Sequence, residues 1–321
     1  MKRWIPVLLL AAVTGCAVPY DDDGQGFAPA DYAAMPAPAP SPDADATPVV
    51  FDTDLAPDDL VALTFLLRRT DVSVEAVTIA ATGLVGCDPG VELVANLLAV
   101  LDEPSVPIAC GRAEPGPGGH EWPSDWAMQA AAARGLPRPV ADAHEVAETA
   151  PELIGRLADR HQGALTVVAV GPLTNLADLA AQAPASYARI AMVQVMGGAV
   201  DVPDVDGIAE WNAAADPEAF AAVLAEEVPL TIVPDDPIPA GTPPALDAPV
   251  VGPIARAITY PKWWDTTTVA ALVTPGAVTS ESGTWEVDDS GRLTRTGPGS
   301  VLVVTALDEA ALAPVLEATF G

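Results

Sequence analysis

Positive charge is scarce in this chain. Its 14 lysines and arginines stand against 44 aspartates and glutamates, a formal net charge of −30. Such a surface repels phosphate backbones, which sets nucleic acid aside as a partner. Histidine is nearly missing, with only His120, His144 and His161 available for proton transfer at neutral pH. Cysteine is equally rare: besides Cys16 there are only Cys87 and Cys110. In an oxidising compartment those two could pair, or they stand as isolated thiols near strand ends. A long apolar run is also lacking at the start, where Trp4 to Val13 is too short to span a bilayer as a helix.

What that N-terminal run does fit is the h-region of a signal peptide, preceded by Lys2 and Arg3. It ends in Val13-Thr14-Gly15-Cys16, which resembles a bacterial lipobox with Cys16 as the lipidated first residue of the mature chain. The expected address is extracytoplasmic, anchored in the cell envelope by lipid, and in the outer membrane if the host has one. Residues 16–47 read as a tether, because Pro36-Ala37-Pro38-Ala39-Pro40-Ser41-Pro42 favours an extended chain and cannot build a core. Residues 48–321 contain no second linker and read as one domain.

Within that domain apolar strand-like runs alternate with helix-period segments. Val49 to Phe51, Val72 to Ala81, Val106 to Ala109, Leu165 to Val170, Ile190 to Val195 and Leu230 to Val233 are the strand candidates. Repeated βα units imply an α/β fold with a mostly parallel sheet covered by helices on both faces. The tail differs: Trp285 to Thr296 reads as a small hairpin around Asp289-Ser290-Gly291, before a last strand and a helix from Asp308 to Phe320. Ligands of such sheets bind beyond the carboxyl ends of the strands.

Asp52-Thr53-Asp54-Leu55-Ala56-Pro57-Asp58-Asp59 sits at one of those ends. Carboxylates at that density repel one another unless a cation lies between them, and hard oxygen ligands suit Ca²⁺ or Mg²⁺. A helix start at Pro57 would favour Asp58 and Asp59 through its dipole, but leaves Asp52 and Asp54 without a reason. Asp-x-Asp after a strand also opens haloacid dehalogenase-type phosphatases, with Asp235-Asp236 as later ligands. That pattern wants Thr or Val where Ala56 stands.

Further motifs follow in order: Gly171-Pro172-Leu173-Thr174-Asn175, Met196-Gly197-Gly198, Glu210-Trp211-Asn212, Asp216-Pro217-Glu218-Ala219 and a late Asp265. Together with the aspartate start, this resembles the inosine-uridine-preferring nucleoside hydrolase family, with Trp211 where Phe is usual. The resemblance implies a Rossmann-type core and calcium-dependent hydrolysis of a nucleoside or related N-riboside. It also implies a homo-oligomer, by analogy alone. Asp54, Asp59, Asp265 and the Val170 carbonyl would be ligands of Ca²⁺, and Asp54 would take a proton from the attacking water. Asp58, Glu210 and Asn212 would hold the sugar, with Met196 lining its site and Asp52 orienting the other carboxylates.

Three departures mark the other half of the site. Trp264 stands where many purine-acting members carry a histidine that protonates the base, leaving His120 as the candidate acid. The loop Thr82 to Asp88 lacks an asparagine, and Asp204 replaces one ahead of Glu210. An enzyme so altered would favour substrates whose aglycone leaves easily. A calcium-dependent nucleoside or ribose binder that has lost turnover is the alternative.

Overall fold

Strands of a doubly covered parallel sheet are apolar on both faces, and that is what the strand runs supply. The computed structural model describes residues 38–133, 136, 143–241, 250–258 and 262–320. The leader, Cys16 and residues 17–37 lie outside them. The remainder of the tether runs along the domain: Ala39 donates its backbone N–H to Leu101 and Asp43 donates to Thr70.

The chain then enters β1 (Thr47–Thr53), α1 (Pro57–Leu67), β2 (Val72–Ile79), α2 (Cys87–Val100) and β3 (Ile108–Cys110). After α3 (Ser124–Ala132) and α4 (Ala150–His161) come β4 (Thr166–Ala169), α5 (Thr174–Gln182), α6 (Pro184–Tyr187) and β5 (Met192–Met196). Next follow α7 (Trp211–Ala215), α8 (Pro217–Leu224), β6 (Leu230–Val233), α9 (Val251–Ala257) and α10 (Trp264–Val273). The chain closes with β7 (Val278–Val287), β8 (Leu293–Leu307) and α11 (Glu309–Phe320). The expected hairpin is present, but its second arm and the expected last strand are one continuous strand, β8.

The sheet has eight strands in the order β3-β2-β1-β4-β5-β6-β8-β7, parallel throughout except for the β7–β8 pair. Alternation along β1 divides the core. Val49 and Phe51 face α1, α2, α10 and α11 through Phe65, Leu97, Val269 and Leu316. Val50 faces α4, α5 and α8 through Leu153, Leu176 and Phe220. Burying a side chain of this size contributes about 1.5–3 kcal/mol, so losing either layer would unfold the sheet.

Strand order reverses between β1 and β4, and such a switch point opens a crevice at the carboxyl ends. Those ends carry Asp52 to Asp54 and Val170. The hairpin reaches the same crevice from the far side. The Ser290 carbonyl accepts the N–H groups of Ala209 and Glu210, and the Gly291 carbonyl accepts that of Ala199.

Candidate active site and metal centre

Asp54, Asp58, Asp59 and Asp265 are all buried, as is Asp52 beneath them. Carboxylate oxygens of Asp58, Asp59 and Asp265 lie within 4.8 Å of one another. Asp54 stands beside this trio rather than within it, so Asp58, expected to hold sugar, is the tighter neighbour of the other two. The Asp265 N–H donates to Asp58 Oδ2 at 3.3 Å, joining the start of α10 to the start of α1.

The local backbone holds this arrangement open. Leu55 adopts a left-handed φ of 65°, sparsely populated for a leucine. That turn aims its N–H at Asp59 Oδ2, 2.8 Å away, where the Thr53 hydroxyl also donates. Asp54 Oδ2 accepts the Leu84 N–H at 2.9 Å. The chain passes so close there that a Cβ on Gly83 would lie 2.2 Å from Asp54 Cβ, and one on Gly171 2.9 Å from it. Cys87, which opens α2 just after this loop, is disulfide-bonded to Cys110 at the end of β3, which settles the alternative the sequence left open.

Burial raises four of these acids, Asp52, Asp54, Asp59 and Asp265. It pushes Asp52 up to about 7, against the lowering bonds from Thr78 and Asn175. Asp59 is pushed up to about 7, again by burial first. Burial, then the charge of Asp59, holds Asp54 well above the usual carboxylate range; burial, then Asp58 and Asp59, does the same to Asp265. Asp52 Oδ2, Asp59 Oδ1 and Asp265 Oδ1 are buried without a hydrogen-bond partner. Orphaned buried acceptors are costly, and like charges this close cannot all ionise alone. A hard divalent cation fits such an all-oxygen donor set, whereas the trio has no nitrogen or sulfur ligand to suit zinc.

Facing the trio is a second group. Glu210 caps α7, with Oε1 accepting Asn212 N–H at 2.9 Å and Oε2 accepting Ala213 N–H at 2.9 Å and Gly198 N–H at 2.6 Å. Burial raises its pKa; the three N–H groups lower it and the charge of Asp235 raises it. Asn212 Nδ2 reaches the Val170 carbonyl at 3.1 Å and Met196 Sδ at 3.3 Å. Val170, Met196, Glu210 and Asn212 are thus gathered as expected.

Three expected residues stand apart. Asp204 is exposed and ion-paired with Arg292, so its charge meets a guanidinium rather than the crevice. The His120 side chain is exposed, while its backbone N–H donates to Ala214. Trp264 donates its indole N–H to Asp235 Oδ1, the oxygen that also accepts Lys262 Nζ at 2.8 Å.

The roles of three residues, Thr78, Thr174 and Asn175, escaped the sequence reading. Thr78 and Asn175 donate to Asp52 Oδ1 at 2.6 and 2.7 Å, fixing its orientation. Thr174 donates to Asp216 at 2.8 Å. Thr174 and Asn175 lie inside a motif already singled out, so asking what its polar side chains bond would have found them. Nothing local marks Thr78. Trp122 stacks on Trp211 with ring centroids 5.0 Å apart, and Trp126 meets Trp211 edge-on at 5.3 Å, forming an aromatic rim beside Glu210.

The sequence model of the family described as inosine-uridine preferring nucleoside hydrolase matches residues 49–313. The chain belongs to that family. The nucleoside hydrolase family holds a metal ion, and here Asp58, Asp59 and Asp265 are grouped to hold one. The nucleoside hydrolase match extends to the pyrimidine-specific ribonucleoside hydrolase RihA of Klebsiella pneumoniae, 31% identical over 199 residues, 58% of this chain and 60% of that protein. The corresponding protein of Salmonella schwarzengrund is 29% identical over the same shares. The aligned part therefore spans about 60% of the length of these curated relatives. Among solved structures, the inosine-uridine preferring nucleoside hydrolase of Bacillus anthracis has a TM-score of 0.72 at 22% identity, covering 84% of this chain and 99% of that one. The purine-preferring ribonucleoside hydrolase of Gardnerella vaginalis has a TM-score of 0.71 at 19% identity, covering 84% and 99%. At these identities the structural likeness speaks for the fold.

Proposed function

We propose that the protein hydrolyses the N-glycosidic bond of a ribonucleoside or related N-riboside, with Ca²⁺ as its metal, at the cell envelope. The observation that carries this reading is the convergence of four buried carboxylates at the switch point, three buried carboxylate oxygens there lacking partners. When bound, the cation supplies positive charge that holds sugar hydroxyls and eases deprotonation of water. Asp58, Asp59, Asp265 and Asp54 would hold it, with the Val170 carbonyl once Asn212 turns to the sugar.

The rest is done by side chains. Asp54, fixed through its Oδ2 to Leu84, takes a proton from the water attacking the anomeric carbon. Asp58, Glu210 and Asn212 orient the ribose, and Asn175 and Thr78 keep Asp52 turned under the cluster. Relatives are named for pyrimidine, inosine-uridine and purine preferences, so their names point to ribonucleosides as a class.

A panel of ribonucleosides with the purified chain tests the reading, scored by reducing sugar released with calcium and after chelation. Calcium-dependent release is expected. Ribose binding without release from any member would replace it with a binding protein. The envelope address rests on Lys2 to Cys16, and a mature N-terminus without lipid on Cys16 would overturn it.

A further inference from the structure

Breaking a C–N bond sends its electron pair away with the base. Here a base anion would depart through a field set by Asp54, Asp58, Asp59, Asp265 and Glu210, all of them buried. Trp264, next to Asp265, offers no proton for that charge, since its indole N–H is bonded to Asp235. The same Asp235 holds a cation. Lys262 Nζ lies 2.8 Å from Asp235 Oδ1 and 2.9 Å from the Asp235 carbonyl oxygen. Among the described residues both bonds go to one residue, which leaves a third N–H of the ammonium for a ligand.

The position suits a ligand. Asp235 follows β6 on the ligand side of the sheet, and its N–H donates to the Gly198 carbonyl at 2.9 Å. Gly198 in turn donates to Glu210 at 2.6 Å. Asp235 is close enough for its charge to act on Glu210. Lys262 is therefore held between the sugar-facing segment and the start of α10, with its side chain 21% exposed. The sequence has only one other lysine, Lys2. Among the described residues, two arginines near this end of the sheet are engaged: Arg112 with Asp178 and Asp216, Arg292 with Asp204 and the Val200 carbonyl.

We propose that Lys262 is the catalytic acid for the departing base, a role that rests on the hydrolase reading above. The water oxygen forms a bond to the anomeric carbon as the C–N bond breaks toward the base. One water proton passes to Asp54, and the Lys262 ammonium gives one to the base nitrogen. The base leaves neutral, and solvent then reprotonates the Lys262 amine and takes the proton from Asp54. Asp235 and Trp264 position Lys262 rather than touching the substrate.

The test compares full-length wild type, Lys262→Met and Lys262→Arg on a ribonucleoside and on p-nitrophenyl riboside, whose leaving group needs no proton. Removing a general acid costs about 10²–10⁴-fold, and that loss is expected on the nucleoside, with a far smaller one on p-nitrophenyl riboside. Arginine keeps the charge but holds its proton too tightly to pass on, so Lys262→Arg is expected to show the same selective loss in smaller degree. Residual p-nitrophenyl riboside turnover also reports that each variant is folded. Equal losses on both substrates in Lys262→Arg, or no loss on either, would overturn the role of Lys262 while leaving hydrolysis standing. A wild type that cleaves neither substrate overturns the hydrolase reading, and Lys262 falls with it.

Discussion

The two walls of the crevice are built differently. On the wall formed by β1, β4 and the start of α10, every carboxylate is buried, and Asp52, Asp54 and Asp59 are fixed by backbone N–H groups or buried side-chain donors. Beyond β5 and β6, Glu210 and Asn212 are buried too, but the outer part of that wall is partly exposed and held by ion pairs between loops, Lys262 with Asp235 and Arg292 with Asp204. A group fixed by sheet ends keeps its geometry when surface residues change, whereas ion pairs between loops are readily exchanged. On the proposed reading, the half that would activate water is set by the fold, and the half that would meet the base is open to variation.

The sharpest way to break that division is at Asp54. Asp54→Asn removes the proton acceptor, and turnover of nucleoside and p-nitrophenyl riboside should fall alike, by about 10²–10⁴-fold. Steady-state kinetics on both substrates checks this, and a selective loss would mean that the walls do not act separately. Next in size is the metal. Calorimetry should find one calcium site, lost in Asp59→Ala and weakened about 10–100-fold in Asp52→Asn, whose carboxylate is proposed to orient the others.

Acidity gives a third test. Asp52 and Asp59 have folded pKa values raised to about 7, above their ordinary value, so the folded chain binds their protons more tightly than the unfolded chain does. Their contribution to metal-free stability is full below about pH 4 and is lost as the pH rises through about 7. Melting with and without calcium should therefore show a larger calcium-induced rise in Tm at pH 8 than at pH 5. An equal rise at both would remove the carboxylates from the linkage. The smallest effect belongs to the far wall: Asp204→Ala should alter stability by about 0.5 kcal/mol or less and leave KM unchanged, because its ion pair is exposed.

Much of the carboxylate wall was legible in the sequence because its donors lie in short motifs at strand ends, where spacing and chemistry coincide. Asp54 to Asp59 share one turn, and Glu210 and Asn212 are two positions apart. The strands were legible for the same reason, since burial on both faces leaves continuous apolar runs. Short helices such as α7 and α9 were missed, being too brief to show a period. The far wall was hidden because its partners are distant in the chain. Lys262 meets Asp235 and Arg292 meets Asp204 through tertiary folding, and no local pattern announces either pair. The disulfide was undecidable because two cysteines 23 positions apart are compatible with either state until β3 and α2 are placed.

The Asp265 N–H and Asp58 Oδ2 meet across 207 positions of sequence. A ribosome adds about 5–20 residues per second, so the aspartates at the start of α1 exist for about ten seconds or more before their last partner is made. During that interval the early strands can collapse, but the carboxylate trio is incomplete. Ion capture therefore belongs to the final stage of assembly, after α10 has docked on α1. Calcium uptake would then serve as a clock for the docking of α10 on α1, and should not precede it in any refolding experiment that follows both.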